Sequence, residues 1–154
     1  MAGQTEYVNR AFEADFQTAV EAAMSVAVHY PGMPFVSTAQ KEWLRIQFLD
    51  MGPEPANDTS RIETWIWQVD AYARVGSDHE LEPTSRVWEL ADFVVETYRW
   101  REVEVVNVDA AAPQPVVGRL EFKQPEVDRT PIRSDDVEGD RLTVTLEADF
   151  ENLS

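Results

Sequence analysis

The spacing of apolar residues along this chain changes period several times, and each change marks an element. From Thr5 to Pro31, Val8, Phe12, Phe16, Ala19, Val20, Ala23 and Ala27 recur three or four residues apart, which gathers them on one stripe of a helix. Thr5 stands where an N-cap belongs, and Glu6 brings a negative charge to the first turn, where it suits the helix dipole. Pro31 and Gly32 are expected to stop this helix. His29, just before them, then reads as an imidazole at the helix C-terminus.

The period next falls to two. In "EWLRIQFLDM", Leu44, Ile46 and Phe48 alternate with Trp43, Arg45 and Gln47, the pattern of a half-buried strand. "GPEPANDTS" is a loop. In "RIETWIWQVDAYARVGSD", Ile62, Thr64 and Ile66 fall on one face, and Trp65, Trp67, Val69 and Ala71 on the other. Apolar bulk on both faces predicts a strand covered on both sides, hence a central position in the sheet or a subunit interface behind it. Trp65 and Trp67 are expected to turn toward the helices or a neighbouring subunit.

A second helix follows, with Pro83 near its first turn and a stripe of Val87, Leu90, Ala91, Val94, Val95 and Tyr98. "REVEVVNVD" predicts a third strand, "AAAPQPVVG" a loop, and Leu120 to Phe122 a short strand weakened by Pro125 and Pro131. "SDDVEGD" is a turn. The last strand has the cleanest alternation: Leu142, Val144, Leu146, Ala148 and Phe150 on one face, Arg141, Thr143, Thr145, Glu147 and Asp149 on the other. The expected order is α-β-β-α-β-β-β, two helices packed on one face of a mostly antiparallel sheet in an α+β fold. All 154 residues are expected to form a single domain.

Composition narrows the chemistry. The chain has no cysteine, so disulfides, zinc–thiolate sites and thiol nucleophiles are excluded. It has no apolar run near the ~20 residues of a membrane span and no signal-peptide pattern at its start, which predicts a soluble protein. Against 29 acids stand 13 bases, a net charge of −16, and only Lys41 and Lys123 are lysines. Such a chain repels nucleic-acid phosphates, which argues against sequence-specific DNA binding. The acidity reads as simple solubility, as adaptation to a salty habitat, or as a surface that DNA must slide past.

No catalytic constellation emerges. His79 sits with Asp78 and Glu80, but adjacent residues rarely converge on one ion, so no metal is expected. "SDDVEGD" resembles a calcium loop until the position of the bidentate glutamate, which is Thr145. No nucleophile elbow, dinucleotide fingerprint or P-loop occurs. The chain is therefore read as a non-enzyme without cofactors.

The order of elements and several local phrases resemble the tail terminator (tail-to-head joining) proteins of long-tailed bacteriophages. The resemblance rests on the opening helix, "PGMPFV" before "EWLRIQFL", "WIWQVDAYAR", "SRVWELADFVVETYR" and the closing "DRLTVTLEADFEN". Within these phrases and the glycine turn between "WIWQVDAYAR" and "SRVWELADFVVETYR", Gln68, Asp70, Tyr72, Gly76, Ala91 and Asp92 carry the family's recurring arrangement. The resemblance implies a homohexameric ring that caps the tail tube, ends its polymerisation and meets the head-completion or connector protein. DNA would pass through its channel without specific binding. It further implies a virion protein at the head-proximal end of the tail, assembled in the host cytoplasm. Candidate interface residues are Trp65 and Trp67, with the acidic loops that supply Asp78, His79, Glu80 and Glu82, and Asp135, Asp136, Glu138 and Asp140. Two other readings stay open: an acidic binding module such as a DNA mimic, and a small enzyme with a carboxylate site.

Overall fold

The computed structural model describes residues 4–51, 62–74, 83–128, 132–134 and 139–153. Helix α1 spans Gln4–Ala23 and α2 spans Pro83–Tyr98. The strands are β1 (Ala27–His29), β2 (Glu42–Met51), β3 (Ile62–Arg74), β4 (Glu102–Val106), β5 (Val116–Phe122), β6 (Glu126–Val127), β7 (Ile132–Ser134) and β8 (Gly139–Asn152). They form one sheet in the order β1-β2-β3-β8-β5-β4, with β6 and β7 also paired to β8. Among the described residues, only the β1–β2 pair is parallel. The fold is α+β, as the alternating periods imply.

The first helix is shorter than its apolar stripe. It ends at Ala23, and Ala27–His29 turn into a strand against Trp43–Arg45. "SVAVH" satisfies a period of two as well as one of four, and its valines prefer extended backbone. His29 is thus no helix cap; its ring stacks on Phe35 at 4.8 Å. Thr5 lies inside the first turn, where its carbonyl accepts a bond from Asn9 Nδ2. Val116 and Val117, expected in a loop, begin β5.

β3 occupies the centre, paired with β2 on one side and β8 along its whole length on the other. Its inward residues Trp65, Trp67, Val69, Ala71 and Ala73 are all buried. They meet Val8, Phe12, Phe16 and Val20 of α1 and the apolar stripe of α2 in one core. Phe12 is its hub: its ring stacks on Trp67 at 4.6 Å and lies 5.4 Å from Tyr98 and 5.8 Å from Phe122. The five inward residues of β8 from Leu142 to Phe150 are buried as the alternation requires.

At Gly118 the sheet leaves no room for a side chain. A Cβ there would overlap the Phe150 ring and lie 2.8 Å from the Glu151 carbonyl oxygen. Gly118→Ala should therefore lower stability by about 1–3 kcal/mol through overpacking. Urea unfolding of the variant measures this; an unchanged midpoint would show that β5 and β8 separate easily.

Candidate functional site

Trp65 and Trp67 turn toward the helices. They are 0% and 1% exposed, and Trp67 donates through Nε1 to Asn9 Oδ1 at 2.9 Å. Their place on β3 turns them beneath α1, so the helix covers them. Asp140 is corrected: it lies in β8 opposite Ala73 and Arg133 and is buried. Asp78, His79, Glu80, Glu82, Asp135, Asp136 and Glu138 lie outside the described residues.

The sheet has two unlike faces. The inner one holds the helices. On the outer face, near the middle, β3 places Asp70 between Arg45 of β2 and Thr143 of β8. Asp70 is completely buried. It accepts from Arg45 Nη2 at 2.7 Å, Thr143 Oγ1 at 2.7 Å and Gln68 Nε2 at 2.9 Å. Three donors, one of them a guanidinium, account for a charge held away from water. Beside it, Trp43 and Tyr72 stack at 4.8 Å and form a small second core with Phe35.

Toward β5 and β4 the same face becomes acidic. Glu102, Glu104, Glu121, Glu147, Asp149 and Glu151 alternate outward with buried residues on β4, β5 and β8. Arg119 reaches Glu151 at 3.0 Å, Glu102 at 3.1 Å and Glu121 at 3.3 Å, while Lys123 lies 3.6 Å from Asp149 and 3.7 Å from Glu147. Five of the six carboxylates thus contact the two bases, and this part of the face is net negative.

A hollow of about 910 Å³ lies along α1, bounded by Val103, Val106 and Val108 on one side and Tyr30 and Met33 on another. Burial holds the Glu13 carboxyl above its usual range, partly offset by Arg10, and pushes the Tyr30 phenol up to about 12. Nearby, Asp15 takes Tyr98 Oη at 2.9 Å and both Nε and Nη2 of Arg101 at 2.9 and 2.8 Å, fastening α1 to the end of α2. Burial first, and Asp15 second, hold the Tyr98 phenol far above its ordinary value. Asp15 is thus held by structural partners, and no group of three or more metal-ligating side chains occurs among the described residues.

The exposed large apolar residues fall at the two ends of the strand order. Phe48 and Leu49 lie on β2, and Met33 and Val36 on the segment leading into it. At the other end, Trp100 precedes β4, Val116 opens β5, and Leu153 follows β8 and bonds to the Val117 carbonyl. Sequence reasoning missed this arrangement, because strand order decides which apolar residues reach an edge.

No family model matches the sequence, and no curated protein matches it. Among solved structures, one protein is similar over 99% of this chain and 99% of its own. The TM-score is 0.65 and the identity 12%, a likeness of fold alone.

Proposed function

We propose that this chain is a structural subunit of a phage tail terminator, a hexameric ring that caps the tail tube and joins it to the head. The observation that carries this reading is the division of the exposed apolar side chains, among the described residues, between the β1–β2 side of the sheet and its β5–β4 side. Two different sticky edges on one molecule favour heterologous, head-to-tail contacts, which close into a ring when the rotation permits. The acidic outer face then has a use. Turned inward, with the helices outward, it gives the channel a wall that repels DNA phosphates and lets the duplex slide.

In this proposal the protein makes and breaks no covalent bond. Its mechanism is a match of shape, with one rim fitting the tube and the other the connector. The test is to add the purified chain to tail tubes growing from a tube protein encoded in the same genome. Capped tubes of uniform length and a ring by native mass spectrometry are the expected result. A persistent monomer that leaves tube length uncontrolled would overturn the reading.

A further inference from the structure

The two sheet edges have complementary structures, and the first of them is half vacant. β1 covers the outer edge of β2 only at Trp43, Leu44 and Arg45. After His29 the chain leaves that edge through Tyr30, Pro31 and Gly32, with Gly32 at φ 75°. Pro31 has no N–H to offer a ladder. A hollow of about 560 Å³ remains, lined by His29, Pro31, Gly32 and residues 45–49.

Arg74 N–H donates to the Lys41 carbonyl. Antiparallel alternation from that bond turns the backbone groups of Ile46 and Phe48 away from β3 and into this hollow. No strand of the described residues pairs with them there. Arg45 Nε, at the same place, is buried without a hydrogen-bond partner.

β4 is the opposite edge and, among the described residues, is bonded only to β5. The Phe122 N–H donates to the Arg101 carbonyl, so the backbone groups of Glu102 and Glu104 point outward by the same alternation. Four antiparallel steps separate β2 from β4 (β2–β3, β3–β8, β8–β5, β5–β4), so the two edge strands run in the same direction.

We infer that β4 of a second copy enters the hollow beside Ile46–Leu49 as a parallel strand, continuing the parallel pairing that β1 begins. The faces agree. Val103 and Val105 point to the helix side, as do Ile46 and Phe48, so apolar residues meet apolar residues across the junction. Glu102 and Glu104 fall on the outer face with Arg45 and Gln47, bringing carboxylates to the guanidinium whose Nε has no acceptor. The junction is β-augmentation between copies, and it deepens the ring reading on which it rests by naming the strands that form each contact.

The native chain has no cysteine, so a Gln47→Cys, Glu104→Cys double variant reports the contact cleanly. A short bis-maleimide linker should join successive copies up to the closed ring. Each single-cysteine variant should stop at dimers or below. Glu104→Pro removes an outward N–H without breaking a bond inside the sheet; it should keep the wild-type circular dichroism yet weaken association about tenfold or more, equivalent to ~1.4 kcal/mol. Glu104→Gln, which keeps that N–H, should retain most of the assembly. All variants are measured alone and with tail tubes. Rings that form as readily with Glu104→Pro, or that do not link through 47 and 104, would overturn the strand junction while leaving the ring reading intact. A wild-type chain that neither assembles nor caps tubes would overturn both.

Discussion

Trp67→Ala should be the most damaging single truncation in this protein, lowering stability by about 3–5 kcal/mol, the range for large-to-small changes at buried aromatics. Trp67 is 1% exposed and sits in the core where α1 meets the sheet. Its ring stacks on Phe12 of α1, lies 6.0 Å from Trp65 and 5.8 Å from Phe122 of β5, and its N–H reaches Asn9. Truncation opens a cavity under α1 and leaves Asn9 without its donor. Asn9 is only half-buried, so water replaces that bond and the cavity dominates the loss. Trp67→Phe keeps an aromatic surface for Phe12 and should lose about half as much. Urea unfolding followed by far-UV circular dichroism gives both values. Equal and small losses would mean that α1 is held by its ends, chiefly by Asp15 with Arg101, and not by its stripe.

Asp70→Ala should cost about 2–4 kcal/mol, for a different reason. The carboxylate is buried, and its removal takes the acceptor from Arg45 Nη2 and Thr143 Oγ1 and leaves Gln68 Nε2 with Gln47 Oε1 alone, at 3.4 Å. Breaking a buried pair from one side leaves an uncompensated charge. Arg45 is 30% exposed and regains water in part, which places the loss toward the lower part of the range for buried pairs. Asp70→Asn retains acceptor capacity for Thr143 and should cost less than the alanine. Arg45→Met tests the other side: it removes the charge partner and keeps the aliphatic packing. The measurement is urea unfolding at neutral pH. An Asp70→Ala variant within about 0.5 kcal/mol of wild type, the scale of ordinary surface changes, would show that the cluster is solvated and not a structural pin.

The sequence was most legible where one period ran unopposed. The alternation from Leu142 to Phe150 and the helical stripe from Val87 to Tyr98 describe β8 and α2 because each pattern fits a single geometry. It was least legible between Met24 and His29, where helix and strand periods coincide and the decision falls to Trp43–Arg45, distant in sequence. Trp65 and Trp67 were correctly placed on the side opposite Ile62 and Ile66. Whether helix or partner covered that side depended on where α1 would lie. Asp70 sits in an outward register, and only its neighbours across β2 and β8 make it buried. The candidate surfaces were hidden for a related reason: residues 46–48 and 102–104 become edges through strand order, which local pattern does not encode.

β8 carries a consequence for how the chain reaches this state. It hydrogen-bonds to β3 along one side and to β5, β6 and β7 along the other. The partner of Trp67 across that ladder is Leu146, far along the chain. Until β8 is synthesised, β3 has one side unpaired, and the helices have only part of a sheet to cover. Closing so many distant pairs late makes for slow folding and a vulnerable interval. A ribosome-bound chain stalled before residue 139 should therefore be sensitive to protease and prone to associate through its open β3 edge, and both tendencies should disappear once Asn152 has cleared the exit tunnel.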